Sequence, residues 1–248
     1  MSVTLFPLGR NTPPDYDHVE KFPLPGLEAA LRPTHVPVTL GINWYSSFDK
    51  PTEGADGIFR LPSSNLGSIR GGHDICAEPA SQPGQPGQEL DTLANYHYYN
   101  QGETEACEGF GHARMLSLLY GKFFDPLWLY DDARRIEGAY PNGEGSCNRS
   151  ADAALVKWGA HPVAVSPGGV AVPQPWVRGN PGGAPQQIKA YRWALTAQEV
   201  LNALGITGEE VTLLQSWGEG YPQRVRMPAA TLERVLREGG EAEVITEK

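Results

Sequence analysis

Glycine and proline punctuate this chain so densely, with 29 of one and 22 of the other in 248 residues, that a bundle of long helices is excluded. Proline removes a backbone donor and blocks the turn before it, and a glycine inside a helix costs about 1 kcal/mol against alanine. Short elements, long connections and a mixture of α and β follow. The length suits one large domain or two lobes sharing a cleft. With 40% hydrophobic and 20% charged residues the chain can build a core, so it is not a disordered polymer. No apolar run approaches the roughly 18 residues of a membrane span.

The charge balance narrows the partners. Twenty Lys and Arg against 29 Asp and Glu leave a net charge of -9, which disfavours nucleic acid and anionic membrane and favours a neutral or basic partner. The stretch Met1 to Arg10 has neither the basic region nor the apolar core of a signal peptide, so a cytoplasmic or virion-associated protein is expected. Three cysteines, Cys76, Cys107 and Cys147, are too few for a disulfide framework or a structural zinc site. At least one is unpaired; whether Cys76 and Cys147 pair stays open. No phosphate-binding glycine loop or metal-ligand cluster stands out, so no cofactor is expected. The acidic residues read mostly as solvated surface.

Along the chain, residues 1–34 read as an extended proline-rich arm, and 35–77 carry two strand signals, Val36 to Tyr45 and the stretch after Gly71-Gly72. Residues 78–91 have linker composition. From 92 to 185 lies a helical lobe: Ala106 to Tyr120 stopped by Gly121, Pro126 to Ile136 before Gly138, and a short helix capped by Ser150. A Gly- and Pro-rich excursion at 167–185 ends it. Residues 186–248 return to β, with a capping box at Thr196 and Glu199, a strand at 211–215, a helix at 228–237 and a last strand at 242–246.

Chemistry concentrates between Asn100 and Phe110. Cys107 opens an apolar helix after a turn, where unpaired N–H groups and the positive helix end favour thiolate. Gln101 lies six residues upstream, and a turn at Gly102 can bring its amide beside the Cys107 N–H, giving two donors for an oxyanion. His112 is five residues beyond Cys107, about 140° around a helix, so it faces elsewhere. His161, before Pro162, reads as a loop residue, and His18, His35 and His97 have no chemical context.

This Gln-Gly, turn, Cys segment resembles the papain-like cysteine peptidases, most of all compact bacterial and phage members. Leu214 to Gly220 is similar to the family's Asn-Ser-Trp-Gly element, and Gly71 to Ile75 to its Gly-His-Ala strand. The resemblance implies an α+β, two-lobed fold: a helical lobe, a lobe of antiparallel sheet or barrel, and the active-site cleft between them. It implies a thiol hydrolase, foremost a peptidase with a peptide or protein substrate, with Cys107 as nucleophile, His73 as base and later acid, Gln101 as oxyanion donor and Gln215 orienting the imidazole. Gly72 and Trp217 fall at substrate-binding positions. Three departures stand out. His73 precedes Cys107, so the block from Val36 to Cys76 reads as permuted from a place between Leu204 and Ile206. Gln215 stands where the family has Asn, with Glu103, Glu105 and Glu108 around the thiol. Two rival functions follow from the same residues: a catalytically weak or inactive binding or structural protein, for instance part of a phage particle, and a glutamine deamidase or transglutaminase-like enzyme.

Overall fold

In the computed structural model the described residues are 35–80, 99–142, 144–163 and 183–247. The expected arm at 1–34, nearly all of the linker and most of the excursion at 167–185 lie outside them. The fold is α+β. Eight strands form one sheet: β1 (Val38–Tyr45), β2 (Thr52–Glu53), β3 (Phe59–Arg60), β4 (Ile69–Glu78), β5 (Ala190–Trp193), β6 (Glu210–Leu214), β7 (Arg224–Pro228) and β8 (Glu241–Glu247). Their spatial order is β2-β3-β7-β6-β4-β1-β8-β5. Every pairing is antiparallel except β3 with β7. Among the described residues five α-helices complete it: α1 (Cys107–Tyr120), α2 (Pro126–Glu137), α3 (Asn148–Lys157), α4 (Ala197–Leu204) and α5 (Ala229–Arg237). None is long and apolar enough to cross a membrane.

Strand alternation divides the interior into two cores. Val38, Leu40, Ile42 and Trp44 of β1, with Ile75 and Ala77 of β4, pack against Val200 and Leu204 of α4 and Leu232 and Val235 of α5. Cys76 of β4, Leu214 of β6 and Ile245 of β8 face the other way, into a core with Phe110, Leu116 and Leu119 of α1, Leu129 of α2 and Leu155 of α3. The sheet is therefore covered on both faces. That has a consequence for His73 and Asp74, neighbours on β4 whose side chains enter opposite layers.

Local chemistry sets the helix ends. Asp125 accepts from the N–H groups of Leu127 and Trp128 at the start of α2, and the Thr196–Glu199 capping box is formed in full. Ser150 is not the cap of α3: that helix begins at Asn148, its N-cap is Cys147, and the two side chains meet at 3.2 Å inside the first turn. Gly71 and Gly72, expected as a turn, lie within the ten residues of β4, and Pro228 ends β7 rather than opening α5. Gly109 has a packing reason: a Cβ there would lie 2.3 Å from the Pro126 carbonyl oxygen, so only glycine lets α1 and α2 approach this closely.

The segment expected to be out of order has both its ends at one place. Val36 N–H donates to the Ala203 carbonyl at 2.9 Å, and Ala80 N–H donates to the Leu204 carbonyl at 2.8 Å. Gly205 follows at φ 70°, and Ile206 N–H returns to the Leu201 carbonyl at 2.9 Å. Residues 36–80 thus leave and re-enter the body beside the C-terminus of α4, while their strands occupy the centre of the sheet.

Candidate active site

The ladder between β4 and β6 has its last pair at Cys76 and Leu214. Past Leu214 the chain turns away as Gln215-Ser216-Trp217, leaving the His73 end of β4 to side chains instead of a strand. The buried His73 ring bonds through Nε2 to Gln215 Oε1 at 3.0 Å. An amide oxygen only accepts, so the ring proton sits on Nε2 and Nδ1 keeps its lone pair. Trp217 stacks on the imidazole with centroids 4.4 Å apart and an interplanar angle of 30°, while Trp44 meets it edge-on at 5.0 Å. Tyr221 closes the box against Trp217 at 4.9 Å and anchors itself by donating to the Phe48 carbonyl at 2.8 Å. Burial in this aromatic box pushes the His73 pKa down to about 4, against the opposing pull of the Gln215 bond.

Gln101 is tied to the same turn. Its N–H donates to the Ser216 carbonyl at 2.8 Å, and its side-chain oxygen accepts from the Ser216 hydroxyl at 2.7 Å. The amide nitrogen gives one hydrogen to the Thr104 carbonyl at 3.1 Å, which leaves the second free by valence. Cys107 is the first residue of α1, and no side chain caps that end, so its backbone N–H has no intrahelical partner. The sulfur lies against the backbone N–H of Asp74, one residue along β4 from His73. The fold thus brings Cys107, His73, Gln101, Gln215 and Trp217 to one end of the β4–β6 split, and Gly72 lies beside His73 on the strand.

The acidic surround differs from expectation. Glu103 is exposed on the turn, and the charges that weigh on the thiol are Asp74 and Glu108. Cys107 keeps some surface as a residue, yet its sulfur is enclosed. Burial first, then those carboxyls, push its pKa up to about 12, opposed by the backbone N–H groups of Asp74 and Glu108. None of the three cysteines forms a disulfide, so Cys76 and Cys147 do not pair. The His161 ring lies tilted against Trp128, with centroids 5.1 Å apart and an interplanar angle of 49°.

A second polar group lies in the other layer, between α1, α3 and the sheet. His112 projects into this group from α1. It enters a cluster of Asp74, Glu108, Asp152 and Glu243, all buried, which for Asp74, Asp152 and Glu243 overturns the reading of the remaining acids as mostly solvated surface. Its Nδ1 lies 3.0 Å from the Glu108 backbone carbonyl, and its Nε2 lies 3.2 Å from Glu243 Oε2 and 3.6 Å from Asp152 Oδ1. Thr39 donates to Glu243 at 3.3 Å; the Asn148 amide fits with its nitrogen on Asp74 and its oxygen accepting from Gly41 N–H at 3.0 Å. Burial pushes the carboxyls of Asp74, Glu108 and Glu243 well up.

His112, Asp152 and Glu243 form a set of metal-ligating type, contrary to the expectation that no such cluster exists. Sequence reading also missed Trp44, Tyr221 and Ser216. Trp44 carried a usable signal, as the fourth inward residue of an alternating strand whose diagonal neighbour is His73. No protein-family model matches this chain, and neither does any curated protein or solved structure.

Proposed function

We propose that the protein is a thiol hydrolase of papain-like design that cleaves peptide bonds. The observation that carries this reading is the His73–Gln215 hydrogen bond under the Trp217 ring, with the Cys107 sulfur against the backbone N–H of Asp74, one residue along β4. In this reading α1, α2 and α3 form one lobe and the sheet with α4 and α5 the other, with the cleft where β4 and β6 part. The meeting of Val36 and Ala80 at Ala203 and Leu204 supports a permuted segment order: a strand pair moved along the chain still reaches its slot.

The resting pair is neutral, because burial raises the thiol and lowers the imidazole. The His73 Nδ1 lone pair takes the Cys107 proton as sulfur attacks the carbonyl carbon. Negative charge on the carbonyl oxygen is met by the Cys107 N–H and the free Gln101 N–H. Imidazolium then protonates the leaving amine, and water, deprotonated by His73, hydrolyses the thioester. Gln215 fixes the tautomer that makes this possible.

The neutral resting pair is also the observation that favours a second reading, a papain-fold protein without turnover that serves as an assembly component. The test is a peptide library combined with a peptidyl fluoromethyl ketone. Peptidase function predicts cleavage and a single covalent adduct on Cys107, both lost in His73→Ala. Absence of cleavage and adduct with folded protein would leave the binding reading. Ammonia release from glutamine side chains without backbone cleavage would instead make the chain a deamidase.

A further inference from the structure

We propose that His112, Asp152 and Glu243 hold one divalent first-row transition cation as a structural ion, taken up while the chain folds. The three residues come from α1, α3 and β8, and their ligand atoms all lie within 4.8 Å of one another. Two donors each about 2.0–2.1 Å from a tetrahedral ion stand about 3.4 Å apart. The 3.2 Å and 3.6 Å separations from His112 Nε2 to Glu243 Oε2 and Asp152 Oδ1 bracket that spacing.

The tautomer gives an independent indication. His112 Nδ1 reaches the Glu108 carbonyl at 3.0 Å, an acceptor that requires the proton on Nδ1. The other ring nitrogen faces two carboxyl groups; without an ion it carries a proton, and although burial pulls the His112 pKa down, Asp152 and Glu243 hold it well above its ordinary value. Metal-bound histidines are held this way, with the non-ligating N–H on a backbone carbonyl. A proton or a cation must therefore stand between this nitrogen and the two carboxylates, and the spacing fits a cation.

The oxygens themselves are unsupplied. Neither oxygen of Asp152 nor Glu243 Oε1 has a hydrogen-bond partner, and the two residues are 0% and 1% exposed. Among the described residues no lysine or arginine forms an ion pair with Asp74, Glu108, Asp152 or Glu243. Buried carboxylates without donors are costly, and a cation supplies what the protein does not. One nitrogen with two carboxylates suits Zn²⁺ or Mn²⁺, whereas Ca²⁺ takes six to eight oxygens at longer distance. An ion here would clamp α1 and α3 to β8. Because every donor is enclosed, it enters before the layers close.

The experiment uses the full chain, unfolded in guanidinium with a chelator and refolded without metal, with Zn²⁺, or with Mn²⁺, then desalted. The proposal expects about one ion per chain by plasma mass spectrometry in a metal arm. It also expects a melting temperature higher by several degrees, and retention for hours when chelator is added to folded protein. Asp152→Asn, isosteric but one charge poorer, should weaken retention at least tenfold and remove the thermal gain; His112→Gln should do the same. Refolding to the same melting temperature with no retained ion would overturn the proposal, as would loss of the ion to chelator within minutes. An Asp152→Asn protein that melts higher in all arms would also overturn it, because an amide donor would then be what the cluster lacks. If either variant fails to fold, metal content of the wild-type chain decides alone.

Discussion

His73 and Asp74 are adjacent on one strand and almost equally buried, yet the layers they enter solve burial in opposite ways. The His73 layer removes charge: a neutral imidazole is wrapped by Trp44 and Trp217 and satisfied by a single amide. The Asp74 layer collects charge: four carboxyl groups surround one imidazole, and several oxygens lack donors. A ring that loses its proton tolerates a dry environment at little cost. A carboxylate does not, so the second layer depends on something added, a proton or a cation. One strand therefore carries a base kept neutral on one side and a cluster in need of positive charge on the other.

The most forceful way to break this contrast is to remove the two side chains to which the proposed hydrolysis assigns attack and proton transfer. Cys107→Ala and His73→Ala should each reduce peptide turnover by about a thousandfold or more, with the circular dichroism spectrum retained. A residual rate within tenfold of wild type would remove the aromatic layer from catalysis.

Acid is the next lever. The folded pKa of His73, about 4, lies below its ordinary 6.5. The folded state therefore binds fewer protons, and the stability due to the neutral ring is complete above pH 6.5 and lost as pH falls through 4. The shift corresponds to about 3 kcal/mol. Urea midpoints across this window should fall with acid in the wild type and fall less in His73→Gln. The acid limb of kcat/KM should lie near pH 4, and a limb at 6.5 would mean that the ring is solvated.

Gln215→Asn sharpens the geometry. It keeps the amide and shortens the stem by one methylene, withdrawing the acceptor about 1 Å from the ring, which should lower kcat about a hundredfold. Unchanged kcat would show that the ring is held by the tryptophans alone.

The smallest effect is expected from transplantation. If residues 36–80 are excised and reinserted after Leu204 in place of Gly205, both layers travel with β4. The melting temperature should stay within about 4 °C, equivalent to roughly 1 kcal/mol. A chain that does not fold would show that the segment needs its position in sequence.

The aromatic layer was largely legible from sequence because its parts are local. Gln101 and Cys107 share a turn, Gln215 and Trp217 share another, and the alternation of Val38, Leu40, Ile42 and Trp44 marks the strand they meet. The carboxylate layer was not, because its members are scattered over 74, 108, 112, 152 and 243, each unremarkable alone. Glu243, between Ala242 and Val244, has the pattern of a strand with one wet face. Only when α1 and α3 cover that face does the same pattern point a carboxylate inward. Glu108 and His112, four apart on a helix, were the one local hint.

The closure of residues 36–80 on the end of α4 also orders events at the ribosome. β1 and β4 are made before the other long strands, yet they fill the middle of the sheet, flanked at last by β8 and β6. The nascent hairpin therefore has both flanks unpaired until residues 210–214 and then 241–247 emerge. During that interval its hydrogen-bonding edges and its Val-Leu-Ile-Trp face are open to other chains, a hazard that grows with the delay in synthesis.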